Sequence, residues 1–282
     1  MKTMAKSATP AKHEAFCPSG REEALFEEET ARLFSVLYQP LVDLDTGGVA
    51  GFSAGASWND PEREYRFPAD FFGGGLLSRG ACARGLSVVN QVVRGLSEWI
   101  ESGEAPGVMM VGLDPWGEDH CGATALDRAP AILAKSGVAP SRLMIFFDVD
   151  SLMERPADAL DLGIGLKRRG LGVGVDNIDP ASAPYNFLEM FPADVLRLRL
   201  GDAGSLGGES ELAQWLSSVS AFADNLLMDV AVEGVENARQ YRLIKSLGCR
   251  YAQGGYFSRP LAIDRAREYF RSADISPYLL GG

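Results

Sequence analysis

Two arginines stand two residues apart inside the apolar run Val195-Leu196-Arg197-Leu198-Arg199-Leu200. A β-strand alternates its faces with a period of two, so Arg197 and Arg199 share one face and the three leucines form the other. The leucine face suits packing against helices, which turns both guanidinium groups inward. A buried cation is costly unless acceptors meet it, so carboxylates or a bound anion belong opposite them. The ends of the other apolar runs carry Ser53, Gly112, Asp148, Asp176, Glu233 and Gln253, among which Asp176 and Glu233 are the candidate acceptors. This set suits a small polar site at one end of a sheet, against a plain alternative of solvated polar strand ends. The chemistry expected is direct bonding of at least one arginine to Asp176 or Glu233.

Other catalytic arrangements are poorly supplied. With only His13 and His120, no Ser/His/Asp or Cys/His set can be assembled, and His120 beside Cys121 reads as a polar surface loop. Cys17, Cys82, Cys121 and Cys249 are scattered without a CxxC pair, which suits reduced thiols in a cytoplasmic protein and not a zinc site. Gly163-Ile164-Gly165 and Gly170-Leu171-Gly172-Val173-Gly174 lack the strand–turn–helix order of a dinucleotide loop and read as glycines permitting close packing. Gly73-Gly74-Gly75 is not followed by Lys and Ser or Thr, so it is no phosphate-binding loop.

The elements that must position the polar residues alternate. Strands are expected at Ser35–Val42, Val49–Ala56, Val108–Leu113, Leu143–Asp148, Leu171–Val175, Val195–Leu200, Leu227–Val232 and Tyr251–Gln253. Helical stripes run through Val89, Val92, Val93, Leu96, Trp99 and Ile100, and through Leu212, Trp215, Leu216, Val219, Phe222 and Ala223. A third stripe, Tyr241, Ile244 and Leu247, stops at Gly248, a suitable left-handed residue after a helix. Eight strands with helices between most of them predict an α/β barrel or a doubly wound open sheet. The first two strands are joined by Asp43-Leu44-Asp45-Thr46-Gly47-Gly48, a hairpin-like turn implying one antiparallel pair.

Composition narrows the function classes. Of 282 residues, 46% are hydrophobic and 23% charged, which excludes wholesale disorder. Against 38 Asp and Glu stand 27 Lys and Arg, a net charge of −11 that disfavours nucleic acid as a partner. No apolar run approaches the roughly 20 residues that span a bilayer, and no apolar core follows Lys2, Lys6 and Lys12, so neither membrane nor secretion is expected. Residues 1–20 read as a flexible tail, an acidic helix begins at Glu22, and residues 21–282 form one domain.

Several segments resemble the EAL family of cyclic di-GMP phosphodiesterases. Tyr38-Gln39-Pro40-Leu41-Val42-Asp43-Leu44 with Gly47 and Gly51 resembles the family's opening. Phe191-Pro192-Ala193-Asp194-Val195-Leu196 is similar to the segment before its catalytic lysine, and Glu233-Gly234-Val235-Glu236 to its Glu-Gly-Val-Glu motif. Gly248–Leu261, containing Gln253-Gly254-Gly255 and Phe257-Ser258-Arg259-Pro260-Leu261, is similar to its closing segment. The resemblance covers about residue 22 to 270 in the right order. It implies a modified TIM (β/α)8 barrel with one antiparallel strand, and hydrolysis by two divalent cations that carboxylates and an asparagine hold.

The same resemblance exposes departures. The name-giving Glu-Ala-Leu is Ser53-Ala54-Gly55, so the first metal-binding glutamate is a serine. The phosphate-holding arginine four residues on is Ser57, and the metal-binding asparagine of the third strand is Gly112. The fourth-strand glutamate becomes Phe146 or Phe147, with the register open by one residue. The Asp-Asp pair is Asp176-Asn177, the lysine near the attacking water is Arg197, and the aspartate two residues on is Arg199. Asp176, Glu233, Glu236 and Gln253 are retained.

The expectation is therefore a catalytically inactive, degenerate EAL-domain protein that acts as a signalling or regulatory protein-interaction module. Its vestigial site comprises Ser53, Gly112, Asp176, Asn177, Arg197, Arg199, Glu233, Glu236 and Gln253, with no catalytic residue, no metal and no cofactor. The partner expected is another protein, a homodimer being allowed. The alternative is a receptor that takes weakly bound cyclic di-GMP or another anion through Gln39, Arg197, Arg199 and Gln253. An active metal-dependent phosphodiesterase is the least favoured reading.

Overall fold

Pairing of the apolar runs is what decides between barrel and open sheet. In the computed structural model, which describes residues 34–58, 81–104, 106–113, 115, 122–178, 183–200 and 209–272, eight strands close into a barrel in sequence order. The strands are β1 (Phe34–Asp43), β2 (Val49–Trp58), β3 (Val108–Gly112), β4 (Leu143–Asp148), β5 (Gly172–Asp176), β6 (Val195–Arg199), β7 (Asp229–Glu233) and β8 (Tyr251–Ala252). The barrel alternative holds and the open sheet does not. The tail at 1–20, the helix at Glu22, both histidines and the triple glycine at 73–75 lie outside the described residues.

The turn after β1 follows from its residues. The Asp43 carboxylate accepts from the backbone N–H groups of Asp45 (3.0 Å) and Thr46 (2.9 Å), and Gly47 takes φ +72°. β1 thus runs antiparallel to β2, and closure sets it antiparallel to β8 as well. One antiparallel pair was expected; one reversed strand in a closed ring necessarily makes two. All other pairs, from β2–β3 to β7–β8, are parallel.

Helices α1 (Ala81–Glu101), α2 (Gly122–Ser136), α3 (Val149–Glu154), α4 (Pro156–Arg168), α5 (Tyr185–Leu188), α6 (Glu209–Asn225), α7 (Ala238–Ser246) and α8 (Ile263–Ser272) complete the described elements. The stripe Val89, Val92, Val93, Leu96 and Trp99 is fully buried, whereas Ile100 turns out to the surface at 37% exposure. Trp215, Leu216, Val219 and Ala223 of α6 are buried, and Leu212 and Phe222 partly so. α7 ends as expected at Gly248, φ +79°.

Strand alternation separates two apolar regions. Leu196, Leu198, Ile145, Phe147, Val173 and Val175 belong to the shell between strands and helices, while Leu41, Met110, Phe146, Val195 and Ala231 fill the barrel interior. One expectation fails here. The seventh strand begins at Asp229 and not at Leu227, because Leu227 adopts φ +59° in the turn after α6 and is 94% exposed.

Candidate functional site

The polar residues lie where parallel strands end, above the interior apolar plug. Arg197 of β6 is 1% exposed and projects across the barrel. Its Nε donates to Asp176 Oδ1 at 3.1 Å and its Nη2 pairs with Asp176 Oδ2, a two-pronged contact that matches a planar guanidinium to a carboxylate. Nη1 donates to Ser53 Oγ at 3.0 Å, and Nε lies 3.6 Å from Glu233 Oε2. The arginine–carboxylate bonding expected from strand alternation is present.

Arg199, one step nearer the mouth, keeps 23% of its side chain exposed and places Nε 2.6 Å from Glu233 Oε1. Glu233 also accepts from Gln253 Nε2 at 3.3 Å. Gln253 is fully buried, and its Oε1 meets no donor among the described residues. Burial pushes the Glu233 carboxyl upward, Arg197 pulls it down, the Asp176 charge adds to the rise, and Arg199 opposes it; the balance lies above the ordinary carboxylate value. Two guanidinium groups and two carboxylates leave the cluster formally neutral.

Phe146 decides the open register of β4. Its ring faces the interior with Arg197 Cζ 4.6 Å above the ring centre, while Phe147 packs outward. The ring fits because Gly174, its partner across β4–β5, has no side chain: a Cβ there would lie 2.3 Å from Phe146 Cε1. The close-packing role read for the 170–174 glycines therefore has a specific beneficiary at Gly174. Gly112 pairs with Phe146 on the other side, across β3–β4.

Not every candidate joins the cluster. Asn177 sits at φ +56° and donates through Nδ2 to Asp148 Oδ2 at 2.6 Å. Asp148 is also the N-cap of α3, its Oδ1 accepting from the Asp150 and Ser151 N–H groups, so both of its oxygens are engaged outside the Arg197 contacts. Glu236 is exposed, and its Oε1 accepts from Gly255 N at 3.3 Å, holding the turn after β8. Gln39 is buried next to Ser53 in register but donates to the Ser258 carbonyl at 3.0 Å. Phe146 is the contributor that no charge or hydrogen-bonding signal marks; the family resemblance narrows the position to Phe146 or Phe147, and the inward face of β4 selects Phe146.

The family model for the EAL domain matches residues 22–260. The chain belongs to the EAL domain family. It is 26% identical over 229 residues to the bifunctional diguanylate cyclase/cyclic di-GMP phosphodiesterase MucR of Pseudomonas aeruginosa, covering 81% of this chain and 33% of that protein. It is 26% identical over 254 residues to the cyclic di-GMP phosphodiesterase RocR of the same species, covering 84% of this chain and 59% of that protein. The chain thus spans about a third to three fifths of these relatives. Among solved structures, the Pseudomonas MucR phosphodiesterase in complex with cyclic di-GMP superposes with a TM-score of 0.75 at 24% identity, covering 86% of this chain and 97% of that one. The Xanthomonas citri FimX EAL domain in complex with cyclic di-GMP gives 0.70 at 18%, covering 84% and 93%. These likenesses confirm the modified barrel fold.

Divalent cations in an EAL barrel need oxygen donors, and the residues present do not fit them. Both oxygens of Asp176 are bonded to Arg197, both oxygens of Glu233 face cationic or amide donors, and an aromatic ring stands at the fourth strand. Among the described residues no group of three His, Cys, Asp or Glu could hold a metal ion. A hard cation would have to displace a guanidinium of like charge and gain few ligands in return.

Proposed function

We propose that this EAL-family protein does not hydrolyse cyclic di-GMP and acts as a regulatory protein-interaction module derived from cyclic di-GMP signalling. One observation carries the reading: the Arg197 guanidinium is bonded to both carboxylate oxygens of Asp176, the acidic residue that a catalytic cation would need. Ser53, Gly112 and Phe146 supply no carboxylate at three further strand ends, so binding and activating a water on metal has no ligand set. What remains is a closed barrel whose interior is filled by apolar side chains and the Arg197 cluster, which supports a role in presenting surface to another protein.

A second reading, an anion receptor without hydrolysis, is favoured by the partly exposed Arg199 and by the unmatched Gln253 Oε1 beneath it. Weighing against it, Arg199 is already neutralised by Glu233, and Ser57 offers no charge for a phosphate. Purified protein incubated with cyclic di-GMP and Mg²⁺ or Mn²⁺ is expected to yield no linear product. Calorimetric titration is expected to show binding absent or far weaker than in intact relatives. Product formation abolished by Asp176→Ala would overturn the reading, and submicromolar binding would replace it with the receptor.

A further inference from the structure

Oxygen atoms from three strands converge on one guanidinium. Asp176 of β5 offers both carboxylate oxygens along one edge of Arg197, Ser53 Oγ of β2 accepts from Nη1 at 3.0 Å, and Glu233 Oε2 of β7 lies 3.6 Å from Nε. The Phe146 ring forms the floor, 4.6 Å from Cζ, and the missing side chain of Gly174 is what makes room for that ring. The enclosure is total, with Arg197 1% exposed and Asp176 and Glu233 each 3% exposed.

The shape of this slot discriminates between kinds of cation. A divalent ion takes six or more oxygens arranged in three dimensions, and an aromatic face supplies none of them. A guanidinium is planar, presents its donors as a fork to a carboxylate, and stacks on an aromatic face. We propose that the barrel interior is a guanidinium site in which Arg197 is the resident cation. It balances Asp176 and Glu233 from within the chain, and the slot left by its removal takes small alkylguanidinium ions in preference to Mg²⁺ or Mn²⁺. This assignment shares the Arg197–Asp176 contact with the regulatory reading, and the two fail by different results: turnover or tight cyclic di-GMP binding overturns that reading, whereas loss of guanidinium rescue overturns only this assignment.

The test uses the full chain, thermal unfolding and calorimetry. Wild-type melting temperature is expected to be the same in EDTA, MgCl₂ and MnCl₂. Arg197→Ala strips a buried pair of one partner and is expected to lower Tm by roughly 6–20 °C. Millimolar N-ethylguanidinium is expected to restore at least half of that loss and to bind the variant measurably by calorimetry, while Mn²⁺ restores none. Arg197→Lys keeps the charge without the fork or the planar stack, and serves if Arg197→Ala does not fold; its Tm is expected to fall clearly below wild type. The proposal is overturned if ethylguanidinium restores none of the Arg197→Ala loss, if Mg²⁺ or Mn²⁺ restores as much of it or raises the wild-type Tm, or if Arg197→Lys melts with the wild type.

Discussion

Gly174 and Phe146 behave as a single unit, since an added Cβ at 174 would sit 2.3 Å from Phe146 Cε1 and 2.4 Å from Cζ. Both residues belong to the interior rows of neighbouring parallel strands, where neither backbone can shift without breaking the β4–β5 ladder. Gly174→Ala is therefore expected to cost about 1–3 kcal/mol through overpacking. In the Phe146→Leu background the same change should cost much less, because the smaller side chain vacates the clash. Urea denaturation of the four proteins measures the coupling, and strictly additive costs would show that the two side chains do not meet. At this scale the sequence was informative wherever charge meant something. The two-residue spacing of Arg197 and Arg199 required acceptors, and Asp176 and Glu233 supply them. It was uninformative at Phe146 and Phe147, because an apolar residue suits either face of a strand buried on both sides. It also overstated the side chains of Glu236, Asn177 and Gln39: a motif position says which backbone site a residue occupies, whereas their side-chain hydrogen bonds go to Gly255, Asp148 and Ser258, and Asn177 reaches Asp176 only through its backbone N–H.

The hairpin of β1 and β2 is the element on which the reversed strand depends, and Asp43 holds its turn. Burial pushes the Asp43 carboxyl up, but hydrogen bonds from Thr46 and the ion pair with Arg250 outweigh it and hold the group below its ordinary 3.8. A depressed folded value means the unfolded chain binds the proton more readily. The stabilisation is thus fully present above about pH 3.8 and is lost as pH falls through the lower folded value. Asp43→Asn, which resembles the protonated acid, should lower the urea midpoint at pH 7, and the difference should close as pH falls below 3.8 and through the lower folded value. A constant difference across that range would mean that the charge is not what holds the turn. Hairpin, strand order and helix stripes were readable because each rests on local periodicity or turn chemistry. Leu227 and Ile100 misled for a related reason. Apolar residues next to a stripe look like its continuation, and only the left-handed turn at Leu227 and the helix rotation at Ile100 exclude them from the core.

The closed ring joins the beginning of the described chain to its end, and Trp99 is the clasp. Fully buried in α1, it meets Phe52 of β2 with ring centres 5.2 Å apart and Phe270 of α8 edge-on at 5.8 Å. Its Nε1 donates to Glu104 at 2.7 Å, and Glu104 in turn pairs with Arg271 of α8. Backbone hydrogen bonds between Tyr38 and Leu261, at 2.7 and 2.8 Å, fasten the segment before α8 to β1. No sequence periodicity reports such closure, because contacts between residues 99 and 270 depend on the last strand completing the circle. A barrel closed in this way gives α8 no separate core of its own, so losing the clasp should weaken the whole molecule. Trp99→Ala is expected to cost about 3–5 kcal/mol. The loss should appear as one transition at lower denaturant, coincident by far-UV circular dichroism and by fluorescence of the remaining tryptophans. An early, separate transition in the variant would instead show that α1 and α8 dock onto a barrel that stands without them.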